Sequence, residues 1–124
     1  MSYLKKRLRS FGFAFAGIIA FVRSEPHALL HFIATIIVVA AGCYFHVTAM
    51  QWIALLMVIG MVWITEMLNT VLEKVMDHVA PDYHPRVKWI KDVAAGAVLI
   101  AAIIALAVGA IIFIPLIIGH EICI

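Results

Sequence analysis

Charge is scarce in this chain: 13% of its 124 residues are Asp, Glu, Lys or Arg, against 66% that are hydrophobic. Together with a mean hydropathy of +1.14, that balance excludes a soluble globular composition. A chain this short makes one domain, residues 1–124, and cannot hide so much apolar surface in a core of its own. Cysteine is nearly absent, and Cys43 and Cys123 have no spacing that suggests a metal site or a disulfide framework. The standard chemical motifs are missing too. There is no G-x-x-x-x-G-K-[ST] loop, no H-R-D or D-F-G set, no H-E-x-x-H helix and no nucleophile elbow. Low-complexity segments and internal repeats are also lacking, and nothing in the charge pattern asks for nucleic acid as a partner.

What is present is long apolar sequence. Three stretches, 28–46, 52–72 and 93–118, are each near or above the roughly 20 residues that cross a hydrocarbon core of about 30 Å. Backbone polar groups in lipid must be paired within the segment, so these stretches are expected to be transmembrane helices. Ahead of them, residues 1–24 place Leu4, Leu8, Phe11, Phe15 and Ile18 or Ile19 at helical spacing, with Lys5, Lys6, Arg7 and Arg9 between. That pattern predicts an amphipathic helix in the interface beside anionic lipid. It ends in Arg23-Ser24-Glu25-Pro26 rather than in a small-residue cleavage site, unlike a signal peptide. The fold class is therefore an all-α membrane protein, with an interfacial helix and three spans.

The cations set an orientation. The basic N-terminus and Lys74, Arg86, Lys88 and Lys91 lie on one side, whereas the connection 46–51 and the tail 120–124 carry no Lys or Arg. The positive-inside rule then puts the N-terminus and the loop around 74–91 in the cytoplasm, for a multi-pass membrane protein. Ala97, Ala101, Ala105 and Gly109 recur every fourth residue, a spacing that lets helices approach closely in lipid. Three spans do not easily enclose a polar site, so a homo-oligomeric bundle is expected.

Glu66, Asn69, Glu73 and Asp77 form a polar stripe at the end of the second span, at offsets of three, seven and eleven that return to one side of a helix. The run from Trp52 to Ile64 before them has no charge. Carboxylates at membrane depth are expensive and ordinarily face a protein interior or wet cavity, where they carry function. Glu25 precedes the first span, and Lys91 with Asp92 opens the third, all near the same boundary. Carboxylate oxygens suit Mg²⁺, which takes one or two of them and completes its shell with phosphates and water. A carboxylate near lipid suits a general base, and Lys91 suits the neutralisation of phosphate oxygens. His27 and His31, one turn apart, have no third ligand in the sequence and read as an interfacial pair. Trp52, Trp89, Tyr44 and Tyr83 read as belt residues. The competing class is a non-enzymatic oligomer such as an ion or proton conductor; against it, the outer halves of the spans are nearly bare of polar groups.

The run Glu66-Met67-Leu68-Asn69-Thr70-Val71-Leu72-Glu73-Lys74-Val75-Met76-Asp77 resembles the E-x-x-N-[ST]-x-x-E-x-x-x-D helix of the small prokaryotic diacylglycerol kinase and undecaprenol kinase family. Lys91-Asp92-Val93-Ala94-Ala95-Gly96-Ala97-Val98 is similar to that family's K-D-x-x-[AS]-[AG]-A-V segment. A weaker block covers Ser10-Phe11, Ala14, Gly17, Glu25 and His31. Val71, Leu72 and His27 depart from the pattern without touching its acids. The resemblance implies a homotrimer that phosphorylates a lipid alcohol with MgATP on the cytoplasmic side of the bilayer. It implies Glu66 as general base and Asn69 as the residue positioning Glu66 or the phosphoryl group. Glu25 and Glu73 would hold Mg²⁺, with Asp77 in support. Lys91, Asp92, Asp82, Tyr83 and His84 would meet the nucleotide, with Lys6 and Phe13 as weaker matches in the N-terminal helix.

Overall fold

The computed structural model describes residues 2–122, so Cys123 lies outside the described residues. Four helices account for almost all of them: α1 (Tyr3–Ser24), α2 (Pro26–Tyr44), α3 (Ala49–Val79) and α4 (Pro85–Ile122). The chain forms two compact units, one ending at Val38 and the other beginning at Val39. Three helices, α2, α3 and α4, are long and apolar enough to cross a membrane. The protein is an all-α, multi-pass membrane protein, as its hydropathy predicts.

In the first unit, Ser2 caps α1 by accepting a hydrogen bond from the Lys5 amide. None of the residues of α1 is buried, and Leu4, Leu8, Phe11, Phe13 and Phe15 are all well exposed. Arg7 lies over the Tyr3 ring, 5.2 Å from its centroid, and its Nε donates to the Tyr3 hydroxyl. The helix breaks at Glu25, whose backbone is extended, because the residue before a proline is pushed out of the α region. Pro26 then opens α2, where its missing N–H is no loss.

The second unit begins in the last turns of α2. The Val47 amide donates to the Gly42 carbonyl and the His46 amide to that of Cys43, with His46 in the left-handed region at φ 51°. This is a Schellman closure of α2, with histidine where glycine is usual. Thr48 starts the next helix at once: its hydroxyl accepts from the Gln51 amide while the Gln51 side chain accepts from the Thr48 amide. Gly42 is required here by close approach. A Cβ added to it would fall 2.5 Å from Cη2 of Trp52 and 2.9 Å from Cζ2. Trp52, read from sequence as a belt residue, thus lays its indole on the end of α2. Gly42→Ala is expected to destabilise the protein by about 1–3 kcal/mol through overpacking, seen as a lower thermal midpoint in detergent. An unchanged midpoint would mean that the indole swings aside freely.

α3 and α4 form an antiparallel pair joined by a turn of only five residues, 80–84. Leu55 and Ala101 are each 1% exposed, and Val58 and Ile112 are also buried. The sequence predicts a longer polar connection around 74–91, yet all but five of those residues are helical. The reason is that a helix need not stop where its apolar stretch does. At 1.5 Å per residue α3 is roughly 46 Å long and α4 roughly 57 Å, well beyond a 30 Å core, so their charged ends continue as helix past the spans.

Candidate active site

The second unit brings several of the predicted residues together where α3 ends and α4 begins. Asn69 Nδ2 donates to Glu73 Oε1 at 3.3 Å, one turn along α3. A carboxylate only accepts, which fixes the amide with its nitrogen toward Glu73. The Asn69 Oδ1 on the other side is buried and has no partner among the described residues, a costly state for an acceptor. Lys91 of α4 forms an ion pair with Asp77 of α3 across the turn. Next to it on α4, Lys88 pairs with Asp92 at i, i+4. The sequence counts Lys88 only among the orienting cations, although its four-residue spacing from Asp92 is a usable signal for this pair.

Glu66 and Glu73 share the face of α3 but not one position. Seven residues separate them, roughly 10 Å of helical rise, too far for both to hold one ion. Glu66 is half-buried and Glu73 exposed. Among the described residues no three His, Cys, Asp or Glu side chains converge as a metal-holding group. The donor set nevertheless fits Mg²⁺ in its usual mode, one or two carboxylates with phosphate and water making up the octahedron. Asn69 occupies Oε1 of Glu73 and leaves Oε2 for such an ion. Lys6, Phe13 and Glu25 belong to the first unit, Lys6 and Phe13 exposed on α1 and Glu25 half-buried at the break before α2.

Two openings lie on the second unit. An apolar groove of 370 Å³ runs between α3 and α4, lined among others by Thr65, Leu68, Asn69 and Leu72 from α3 and by Ala94 and Ala97 from α4. Thr65 turns its hydroxyl back to the carbonyls of Met61 and Val62, so Asn69 is left as the polar feature of this wall. The second opening, 500 Å³, lies at the 80–84 turn with Asp82, Tyr83, His84 and Arg86 around it. There the Arg86 amide donates to Nδ1 of His84 at 3.0 Å. That bond puts the ring proton of the neutral imidazole on Nε2 and orients the side chain.

A family model described as prokaryotic diacylglycerol kinase matches residues 12–113. The chain belongs to that family. Several members of the family resemble it over most of its length. It is 33% identical over 112 residues to the undecaprenol kinase of Bacillus subtilis, covering 90% of this chain and 91% of the relative. It is 38% identical over 109 residues to a diacylglycerol kinase of Synechocystis, covering 87% of this chain but only 62% of that longer protein. With the Escherichia coli K12 diacylglycerol kinase it shares 30% identity over 98 residues, 79% of this chain and 80% of the relative. As a member of the prokaryotic diacylglycerol kinase family the chain is a membrane lipid kinase, and the conductor alternative has no support.

Proposed function

We propose that this kinase transfers the γ-phosphate of MgATP to the hydroxyl of a membrane lipid alcohol, diacylglycerol or undecaprenol. It does so as a homotrimer in the bacterial inner membrane, with its N-terminus and the 80–84 turn on the cytoplasmic side. The observation that carries the reading is the ordering of polar groups along α3 beside the apolar groove. Counted from Trp52, about 20 residues of α3 fill the hydrocarbon. Glu66 then lies inside the apolar layer, Glu73 at its edge and Asp77 beyond it. A lipid hydroxyl reaches the first from within the bilayer, and a nucleotide reaches the others from water.

In this mechanism Glu66 accepts the proton of the lipid hydroxyl as that oxygen attacks the γ-phosphorus of ATP, the bond to the β–γ bridging oxygen breaks and ADP leaves. Asn69 stands between Glu66 and Glu73 on the same face and holds Glu73 by its amide. Glu73, and by the family resemblance Glu25 of the first unit, would hold Mg²⁺, which would supply positive charge for the phosphate groups. Lys91 carries the compact positive charge of the site, and Asp92, Asp82, Tyr83 and His84 line the approach from water; Lys6 and Phe13, on α1 of the first unit, keep only the nucleotide role that the family resemblance implies. The trimer is what the family resemblance implies; the need of three spans for neighbours around a polar site supports more than one protomer, while Ala101 is already buried within the chain and Ala97 lines the groove against α3. Purified protein in lipid micelles, given ATP with diacylglycerol and undecaprenol side by side, is expected to phosphorylate one of them and to stop when Mg²⁺ is chelated. A folded, oligomeric protein that transfers phosphate to neither would sink the proposal.

A further inference from the structure

The Asp77–Lys91 pair joins residues fourteen apart in sequence, on two helices, across the only turn between them. It is a solvent-side pair: the two side chains are 67% and 35% exposed, respectively. Exposed ion pairs contribute little to stability, so the pair is a poor candidate for a structural clamp on α3 and α4, whose apolar faces already pack together. Its effect falls on Lys91. A lysine ammonium sits on a flexible four-carbon stem and gives up rotamer freedom whenever it is held in one place. In this protein that loss is incurred before any ligand arrives, because Asp77 holds the ammonium at the end of α3. Lysine has three N–H donors, and one bond to Asp77 leaves two for phosphate oxygens. The neighbouring cation makes the contrast: Lys88 pairs with Asp92 within α4, and that pair ties nothing across the turn.

We propose that Asp77 is a positioning residue for nucleotide binding, anchoring Lys91 across the α3–α4 turn so that its remaining donors meet the polyphosphate already ordered. The proposal rests on the reading of Lys91 as the phosphate-facing cation. It predicts that Asp77 acts only through Lys91, which a double-mutant cycle detects. The measurement is the dissociation constant for MgATP, by calorimetry on the full chain in mixed micelles, which does not require turnover. Asp77→Asn is expected to weaken binding about 5- to 20-fold, the range of a modest coupling between groups. Asp77→Glu restores it to within about threefold of the native value, and the thermal midpoint of Asp77→Asn stays near native, as for other exposed pairs. In a Lys91→Met background, Asp77→Asn adds less than about twofold.

A loss of the same size with and without Lys91, or no loss at all, overturns the proposal. So does a large fall in thermal midpoint, which would make Asp77 a structural residue. Native protein that fails to bind MgATP overturns it as well. Native protein that binds MgATP but phosphorylates no lipid alcohol sinks the kinase mechanism above, while the cycle still decides the role of Asp77.

Discussion

Replacing Glu66 by glutamine is expected to lower phosphoryl transfer by about 10²- to 10⁴-fold, the usual contribution of a general base, while the affinity for MgATP changes by less than about threefold. Glutamine has nearly the shape of glutamate and keeps a carbonyl acceptor, so packing and hydrogen bonding survive, but it cannot take up a proton at neutral pH. The separation of effects follows from position. Glu66 lies two helical turns before Glu73, on the lipid side of the stripe, whereas the groups expected to meet the nucleotide sit at Glu73 and beyond. Activity and nucleotide affinity measured on the same preparation decide the matter. Near-native turnover in Glu66→Gln would remove Glu66 from the proton transfer and leave the base to be sought elsewhere along α3.

Glu73→Gln carries the second large effect, and its signature is different. A carboxylate that holds Mg²⁺ supplies charge as well as a lone pair, and an amide supplies only the latter. The Mg²⁺ concentration for half-maximal activity is therefore expected to rise about tenfold or more, with much of the rate returning when Mg²⁺ is raised to saturation. The variant also replaces the acceptor of the Asn69 amide, although the glutamine carbonyl can still receive that bond. A Mg²⁺ titration under fixed ATP is the measurement. If the half-maximal concentration stays native while the saturated rate falls, Glu73 acts on the reacting phosphate rather than on the ion, and the metal falls to Glu25 alone.

The sequence carried the helices and the stripe but not the contacts between helices. Spans are written in hydropathy, because each must satisfy its backbone internally and offer an apolar surface to lipid. The Asn69–Glu73 and Lys88–Asp92 contacts were available from spacing alone, since residues four apart on a helix are neighbours. Asp77 and Lys91 were not. Their meeting depends on the turn at 80–84 being short enough to bring one end of α3 beside the start of α4, and hydropathy predicted a wider connection. The same holds for Trp52, whose interfacial position was legible while its seat on Gly42 was not. Polar residues at a helix end look like loop to a hydropathy scan, which has no means to tell solvated helix from solvated coil.

The turn between α2 and α3 bears on how such a protein enters a bilayer at all. One side of each newly made span has to be carried through hydrocarbon, and the passenger sets the cost. Between Phe45 and Thr48 the chain satisfies its own amides by the Schellman closure and the Thr48–Gln51 box, and it carries neither lysine nor arginine. Under the proposed orientation this segment crosses with few bare donors and no lysine or arginine to desolvate. The 80–84 turn, flanked by Lys74, Arg86, Lys88 and Lys91, would be far harder to translocate. A turn that caps its own amides and lacks lysine and arginine thus suits the side that crosses in the proposed orientation.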